Sequence, residues 1–411
     1  MPNPTKIHPN LVERMSVQAR AFGAPEPLRV IVQYRAATVG IAQTIQGVVA
    51  TSRTYRLIAA SAHRALPSAI NALSDRDEVA MIWYDEPVHT LLDASAPLIG
   101  APQVWQANVT GKGIKVAIVD TGIDPNHPDF AGRIAQIRDF TGEGDVDKNG
   151  HGTHVAGIVG GAGAQYRGVA PECSFYVAKV LRGNGSGSTS DVMAGVEWAA
   201  QQGAQVINLS LGSDGACDGT DALSVLCDAA VAQGSVLCIA AGNAGPGAST
   251  VGSPGCAKSV ITIGATTKSD QIASFSSRGP TSDGRVKPDV CFPGASIVAC
   301  RAAGTSMGTP VDAQYTSASG TSMATPHAAG ACALLLQAKP GLSPQQIKDI
   351  LMNTAKNLGL DANAQGKGRA DAFAAYQSAL GQTPQPQPPA PPTPPGTGCL
   401  AVLQRWFGLG S

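Results

Sequence analysis

Short apolar runs alternate with amphipathic segments through the central part of the chain, and this pattern predicts an α/β fold. Five runs rich in β-branched residues predict buried strands: IKVAIVD (114–120), SFYVAKVL (174–181), AQVINLSLG (204–212), SVLCIAAGN (235–243) and SVITIGAT (259–266). Between them, SDVMAGVEWAAQQG and TDALSVLCDAAVAQG carry apolar residues at helical spacing. Apolar strands that alternate with helices are typical of a parallel sheet, whose ligand sites lie at the carboxyl ends of the strands.

A smaller unit precedes this region and combines strand patterns with one helical pattern. LRVIVQYR (28–35), TYRLIAAS (54–61) and VAMIWYDEPV (79–88) predict strands, and ALPSAINAL (65–73) has helical spacing. Strands interleaved with a helix over so short a stretch are typical of a compact α+β module. Near the other end of the chain, Ser343 and Pro344 are typical of the start of a helix.

Composition changes at both ends of the chain. Residues 1–24 have no clear pattern, and eight prolines within residues 384–395 predict a stiff, extended linker. The last residues are either a disordered tail or a segment that docks on a hydrophobic groove through Leu400, Leu403, Trp406 and Phe407. The predicted organisation is a leader (1–24), the small module (25–95), the main domain (96–380), the proline-rich linker (381–398) and the apolar tail (399–411).

Composition and charge restrict the function. Hydrophobic residues make up 43% of the 411 residues and charged residues only 14%, which is enough apolar material for a large core. The formal net charge is zero, so electrostatics suggest neither a nucleic-acid partner nor an anionic membrane. No stretch approaches the ~20 apolar residues of a membrane span.

The cysteines and the N-terminal sequence bear on the compartment. The first twenty residues have no contiguous apolar stretch of the secretory kind, which favours a cytoplasmic protein. Export by an unconventional route or from a different start is the alternative. The nine cysteines are expected to be mainly buried and reduced, with Cys217 and Cys227 as a candidate local disulfide.

Four polar residues stand where predicted elements begin or end. Asp120 ends the strand VAIVD, Asn243 follows the strand before AGNAG, and His151 and Ser322 begin helical segments. Each has an ordinary explanation as a turn or cap. His151 and His154 also suggest a metal pair, although the carboxylate and third ligand of a zinc helix are missing. Together, however, the residues supply a nucleophile, a base and a group that orients the base.

The sequence contains two Gly-Thr-Ser-Met runs, around Ser306 and Ser322. Ser322 begins the apolar stretch GTSMATPHAAGACALLLQ, so the positive end of a buried helix favours negative charge at its hydroxyl. Polar residues follow Ser306 instead. We therefore predict that Ser322 is the nucleophile and that Ser306 lies in a loop near the leaving-group side of the cleft.

VAIVDTGID, HGTHVAG, AAGN and GTSMATPHAAG, in this order, resemble the motifs of the subtilisin-like serine proteases. The resemblance covers roughly residues 100–380 and implies a three-layer fold with a mainly parallel central sheet. It implies that Ser322 is the nucleophile, His151 the general base and acid, and Asp120 the residue that orients the imidazole. Asn243 and the Ser322 N–H would form the oxyanion hole, supported by Thr321. No cofactor is implied for the chemistry.

The resemblance also implies a cleft that binds extended polypeptides by strand pairing. The pairing segments would be Gly183–Ser188, with Gly185, Ser186 and Gly187, and the segment Ser210, Leu211 and Gly212. Ala240, Ala241, Gly242 and Gly252 would line the pocket for the residue before the scissile bond. These segments hold no acidic residue, which predicts a roomy pocket that tolerates apolar side chains.

In the same family, the small module resembles a ferredoxin-like propeptide that assists folding, inhibits the enzyme and is removed by it; a permanent regulatory domain is the alternative. The cut is expected between His89 and Ala101. Asp129 matches a calcium ligand of the family, although GGAGAQYRGVAP lacks the Asn-containing insertion that completes that site. DVDKNG, with Asp145, Asp147 and Asn149, resembles a calcium loop but lacks its distal Glu, which favours a solvated turn.

Two other functions are weighed against a self-processing serine endopeptidase. A catalytically dead binding module is disfavoured because all four active-site positions are filled. An esterase is disfavoured by the Asp-His-Ser order and by the absence of GxSxG around Ser322.

Overall fold

The computed structural model describes residues 4–20, 25–35, 41–55, 59–84 and 95–383. The chain divides into two compact units, Met1–Thr90 and Leu91–Ser411. The predicted linker (381–398) lies outside the described residues from residue 384 onward, as do the whole predicted tail (399–411) and the part 89–94 of the segment in which a processing cut is expected. None of the described helices has the length and apolar character that crossing a membrane requires.

The first unit is a four-stranded antiparallel sheet with helices. Its elements are the 3-10 turns Pro4–Lys6 and Ile41–Thr44, helices α1 (Pro9–Arg20) and α2 (Pro67–Ser74), and strands β1 (Leu28–Tyr34), β2 (Val48–Tyr55), β3 (Ala60–Ala65) and β4 (Val79–Tyr84). The strand order is β2-β3-β1-β4. Strands joined by a crossover are therefore separated by one inserted strand, which is the split pattern of ferredoxin-like modules.

Two details of this unit differ from the sequence-based expectation. The run TYRLIAAS does not form one strand, because its first residues end β2 and its last residues begin β3. Part of the leader is also ordered: α1 contributes Leu11, which is fully buried, and Ile7 forms a bridge with Ile82 of β4. Apolar residues too sparse to form an obvious pattern thus complete a small core.

The second unit holds the central sheet. Its helices are α3 (Ser95–Leu98), α4 (Ala101–Gln106), α5 (His151–Gly160), α6 (Thr189–Gln201), α7 (Ala222–Ala232), α8 (Thr321–Ala338), α9 (Pro344–Asn353), α10 (Ala362–Gln365) and α11 (Ala372–Ala379), with a 3-10 turn at Pro128–Phe130. Its strands are β5 (Lys115–Asp120), β6 (Ile134–Asp139), β7 (Ser174–Lys179), β8 (Val206–Leu209), β9 (Val236–Ala240), β10 (Ile261–Thr266), β11 (Val290–Pro293), β12 (Ile297–Cys300), β13 (Thr309–Pro310) and β14 (Tyr315–Ala318).

Seven of these strands form a parallel sheet in the order β11-β10-β9-β8-β5-β7-β6, and β12-β14-β13 form a small antiparallel sheet. Alternation along the strands builds two cores. In β5, Val116 and Ile118 face the core that contains α5 and α8, whereas Ala117 and Val119 face the core that contains α6 and α7. The result is the predicted three-layer arrangement, with helices on both faces of a parallel sheet.

Helix α9 begins as the sequence predicts. Ser343 accepts a hydrogen bond from the Gln346 N–H, and the Gln346 side chain returns one to the Ser343 N–H, with Pro344 at the first helical position. This reciprocal cap satisfies two backbone donors that a helix start leaves free.

The predicted Cys217–Cys227 disulfide is wrong. Cys217 is bonded to Cys256 instead, and Cys227 is a fully buried free thiol on the sheet-facing side of α7. Cys227 belongs to the apolar pattern of its helix, so it faces the core rather than the loop that precedes the helix. The other free thiols among the described residues are also buried, as expected: Cys173, Cys238, Cys291, Cys300 and Cys332.

Candidate active site

The Asp120 carboxylate and the His151 imidazole form a close pair at the carboxyl end of the sheet. Asp120 ends β5 and has no exposed surface, and its Oδ1 lies 2.7 Å from His151 Nδ1. The Thr121 N–H also donates to this oxygen, at 2.7 Å. The His151 side chain retains 22% of its surface, so the opposite edge of the ring is open to the cleft.

Burial acts to lower the pKa of His151, but the charge and hydrogen bond of Asp120, together with Asp147, outweigh it and raise the pKa above its usual value. The pair therefore stabilises an imidazolium, which a general base becomes after it takes a proton.

Asp147 holds the start of α5 rather than a solvated turn. It is buried, and its carboxylate accepts hydrogen bonds from the N–H groups of Asn149, Gly150 and Thr153. The hydroxyls of Thr121 and Thr153 also donate to it. Its oxygens thus hold the loop and the helix start that carry Asp120 and His151. The expected solvated turn at Asp147 was wrong, and the sequence signal for this role was its place just before His151.

Glycine is required beside His151 because the loop after Asp120 crosses the helix there. A Cβ on Gly152 would lie 2.1 Å from the carbonyl oxygen of Gly122. No side chain fits at that distance, so Gly152 allows β5 and α5 to approach closely enough for the pair to form.

Ser322 is the second residue of α8, and its backbone and side chain are both bound to Ser210. The Ser322 hydroxyl donates to the Ser210 carbonyl at 2.9 Å, and the Ser210 hydroxyl donates to the Ser322 carbonyl at 2.9 Å. The second bond has a clear cause, because Pro326 stands four residues later and has no N–H to give the Ser322 carbonyl. Asn208 Nδ2 donates to the Ser210 hydroxyl and orients it.

Thr321 fixes the side chain of Asn243. Asn243 Oδ1 accepts hydrogen bonds from the Thr321 N–H at 2.8 Å and from the Thr321 hydroxyl at 3.0 Å. The acceptor end of the amide is therefore occupied, which leaves the donor Nδ2 for another group. Asn243, Thr321 and Ser322 line one small cavity of about 200 Å³.

The sequence-predicted cleft residues lie around two adjoining cavities. The larger, of about 620 Å³, is lined by His151, Gly185, Ser186, Gly187 and Ser210 together with Leu211 and Gly212. Leu211 and Gly212 also line the smaller cavity, where Ala240, Ala241, Gly242 and Gly252 meet them. Strand pairing places all these segments at one edge of the sheet.

Some lining residues were not predicted from the sequence. Asp214 lines the smaller cavity and Asp221 the larger one. Asn149, just before α5, also contacts a cleft segment, because its Nδ2 donates a hydrogen bond to the carbonyl of Gly183 at 3.1 Å. The signal for Asp214 was its position two residues beyond the predicted segment Ser210–Gly212.

The alternative residues lie elsewhere. Ser306 is exposed, in the loop whose Thr305 and Met307 border Gly150, and it lines neither cavity. His154 is fully buried, with its Nε2 near the carbonyls of Ile297 and Thr316. Burial and the neighbouring His151 lower the pKa of His154 to about 4, so it stays neutral in the core. His151 and His154 do not form a metal pair.

The surroundings of Asp129 do not suit calcium. The Tyr315 hydroxyl lies 3.1 and 3.2 Å from the two carboxylate oxygens, and the Cys300 thiol lies 3.5 Å from one of them. Burial and the nearby Asp129 raise the pKa of Tyr315, which keeps the hydroxyl protonated as a donor. Calcium needs six to eight oxygen ligands. Here a hydroxyl and a thiol take the positions on the carboxylate.

Neighbouring His127 does not offer a free nitrogen as a metal ligand beside the Asp129 carboxylate. Its Nδ1 accepts from the Asp129 N–H and its Nε2 lies 2.8 Å from the Gln314 carbonyl, so both ring nitrogens are engaged. His127, Asp129 and Cys300 each have one possible metal-ligand atom, and these three atoms lie within 4.8 Å of one another. Their hydrogen bonds indicate a buried structural cluster.

The Subtilase family model matches residues 111–369. The chain belongs to the subtilase family. It is 40% identical over 338 residues to "Serine protease AprX" of Bacillus subtilis, covering 74% of this chain and 76% of that protein. It is 42% identical over 287 residues to "Subtilisin DY" of Bacillus licheniformis, covering 68% of this chain and 97% of that protein. These similarities identify the subtilase as a serine endopeptidase.

Solved structures agree with the fold. The crystal structure of a cold adapted subtilisin-like serine proteinase is 37% identical and has a TM-score of 0.53, covering 64% of this chain and 89% of that chain. The predicted α/β subtilisin-like fold with a parallel central sheet is therefore confirmed.

The expected cytoplasmic location is wrong. The relatives include Subtilisin DY, Subtilisin E and Subtilisin J, and these homologues are secreted extracellular subtilisins. The Cys217–Cys256 disulfide also fits an oxidising environment better than a reducing one.

Proposed function

We propose that this subtilase hydrolyses peptide bonds through an acyl-enzyme formed on Ser322, with His151 as base and acid and Asp120 as its orienting partner. The observation that carries the proposal is the 2.7 Å contact between the buried Asp120 carboxylate and His151 Nδ1, at the edge of the cleft that Ser210 and Ser322 also border. A buried carboxylate on one ring nitrogen leaves the other nitrogen to accept a proton.

The hydroxyl of Ser322 turns from the Ser210 carbonyl toward His151 Nε2 when substrate is bound. Hydrogen bonds of this kind are commonly misaligned without substrate. Ser322 Oγ then attacks the substrate carbonyl carbon as its proton passes to His151 Nε2. The C–N bond breaks when His151 returns that proton to the leaving amine. Water repeats the sequence: His151 takes its proton, the hydroxide attacks the ester, and Ser322 Oγ leaves with the proton.

Asn243 and the Ser322 N–H stabilise the oxyanion of each tetrahedral intermediate. Thr321 occupies Asn243 Oδ1 with two donors, so the amide cannot flip without losing both bonds. This pre-orientation supports a fixed Nδ2 donor, and donors fixed in advance need no reorganisation as charge develops.

Polypeptides bind in extended form. The segment Gly183–Ser188 and the segment Ser210–Gly212 border the cleft, and their backbone groups suit pairing with a peptide strand. Such pairing makes few demands on side chains, which supports cleavage of many polypeptides.

We also propose that the N-terminal unit acts as an inhibitory propeptide that the enzyme removes from itself by a cut between His89 and Ala101. Its separate core and its ferredoxin-like strand order support this role. A parallel-sheet domain with many long-range contacts folds slowly, which gives a folding assistant a purpose.

The experiment compares the full chain with its Ser322→Ala and Asn243→Ala variants by intact mass and by labelling with a fluorophosphonate probe. Wild type should label and lose the N-terminal unit, whereas Ser322→Ala should do neither. Asn243→Ala should still label, but its kcat should fall by ~10²–10³, the loss established for the corresponding donor of subtilisin. A wild-type chain that stays full length and unlabelled contradicts the whole proposal. Labelling without shortening contradicts only self-processing.

A further inference from the structure

The small cavity beside Ser322 has one apolar wall and one acidic residue at its edge, and the neutral polar side chains of Ser213, Asn243, Thr321 and Ser322 complete its lining. Leu211, Ala240, Ala241, Gly242 and Gly252 contribute carbon-lined or backbone surface, and Asp214 is the charged residue among those that line it. Asp214 is exposed, and within the described part of the chain its carboxylate has no hydrogen bond or ion pair. It is therefore available to a ligand.

The backbone that carries Asp214 is held on both sides. The Ser213 N–H donates to the Ser253 carbonyl at 2.8 Å, and Gly252 packs so closely that a Cβ there would collide with the Ser213 carbonyl. On the other side, Cys217 is bonded to Cys256. Because both flanks are anchored to the opposite wall, the backbone of Asp214 stays at the cavity edge.

Apart from His151, the ionisable side chains that line the two cavities in the described part of the chain are acidic. No Lys or Arg is among the residues that line either cavity in the described part of the chain. Asp221 lines the larger one. Burial acts to raise the pKa of Asp221, but hydrogen bonds from Ser253 and Ser224 outweigh it and hold the pKa below its usual value. A cleft lined by one sign of charge attracts the opposite sign, although the whole chain is neutral.

We propose that Asp214 is a specificity-determining residue that makes this cavity prefer a lysine or arginine side chain before the scissile bond. The inference rests on the proposed function. Long basic side chains lay their methylene stems on apolar surface and keep the charged head in water. The apolar wall suits the stem, and Asp214 at the edge suits the head. The expectation of a roomy pocket that tolerates apolar side chains considered only the segments Ser210–Gly212, Ala240–Gly242 and Gly252, which hold no acidic residue.

The test measures kcat/KM for two peptides that differ only in having Arg or Leu before the scissile bond. Wild type should have the higher value for Arg. Asp214→Asn should lower the Arg/Leu ratio by roughly three- to tenfold, mainly through a lower Arg value, which is the scale of one ion pair that substrate partly shields. Asp214→Lys should lower the ratio further. Added salt should lower the wild-type ratio but not that of Asp214→Asn.

Glu197→Gln is the matched control, because Glu197 is an exposed acidic residue on α6 that lines neither cavity. It should leave the ratio unchanged. The inference is overturned if Asp214→Asn keeps the wild-type ratio or lowers kcat/KM for both peptides equally. It is also overturned if Glu197→Gln lowers the ratio as much as Asp214→Asn does. Each of these results leaves the proposed function intact, provided that wild type cleaves the Leu peptide. Cleavage of neither peptide by wild type overturns both.

Discussion

The hydrogen bond from the Ser210 hydroxyl to the Ser322 carbonyl replaces one that Pro326 removes from helix α8. Ser210→Ala should therefore destabilise the start of the helix that carries Ser322. Pro326→Ala should relieve this loss, because an alanine N–H at that position can donate to the Ser322 carbonyl in the ordinary helical way. The two substitutions should be strongly coupled although 116 residues separate them in sequence.

The magnitude follows from the groups left without partners. Ser210→Ala deprives the partly buried Ser322 carbonyl of its donor and Asn208 Nδ2 of its acceptor. At about 1 kcal/mol for each, the loss is about 2 kcal/mol. In a domain of this size that corresponds to about 4 °C in Tm. Pro326→Ala restores only the first partner, so the coupling free energy should be about 1 kcal/mol.

Thermal unfolding of the four chains of this double-mutant cycle measures the coupling. All four carry Ser322→Ala, which prevents self-digestion and keeps the backbone carbonyl. Ser235→Ala provides a matched control, since its hydroxyl donates to the Ala204 carbonyl at 2.8 Å and is unrelated to Pro326. Ser235→Ala and Pro326→Ala should have additive effects. If the effects of Ser210→Ala and Pro326→Ala on Tm are additive, or if Ser210→Ala leaves the Tm unchanged, the Ser210 hydroxyl does not replace the bond that Pro326 removes.

Three further predictions concern the pair, the disulfide and the buried tyrosine. The His151 imidazole must be neutral to take a proton, and its pKa is raised, so kcat/KM should fall on the acid side at a pH above 6.5. Asp120→Asn should move this fall to lower pH. A wild-type fall below pH 6.5, the ordinary pKa of histidine, contradicts the raised pKa. The Cys217→Ser/Cys256→Ser double variant should lose about 2–4 kcal/mol of stability, and reductant should lower the Tm of wild type only; equal Tm values argue against the bond. Tyr315→Phe should cost about 1–3 kcal/mol in thermal unfolding, because the buried carboxylate loses a donor, and an unchanged Tm contradicts that role.

Local pattern identified the five inner strands of the parallel sheet, and it missed the two edge strands β6 and β11. Alternation in β5 places Val116 and Ala117 on opposite faces, and this periodicity is visible in the sequence because each strand is buried on both sides. The same local logic separated Ser322 from Ser306, since only Ser322 precedes a long apolar helix. It failed for TYRLIAAS, because this one β-rich run contains both the end of β2 and the start of β3.

The sequence by itself thus determined the fold class and the polar residues at the ends of its elements, because burial periodicity and turn chemistry are local properties of the chain. Tertiary structure alone decided which distant groups meet. Cys217 reaches Cys256 across 39 residues rather than its helical neighbour Cys227, and Asp214 reaches the wall formed by Gly252. Such partners depend on how loops fold back over the sheet edge. The path of these loops depends on packing among many segments, so it cannot be predicted from the residue spacing within any one segment.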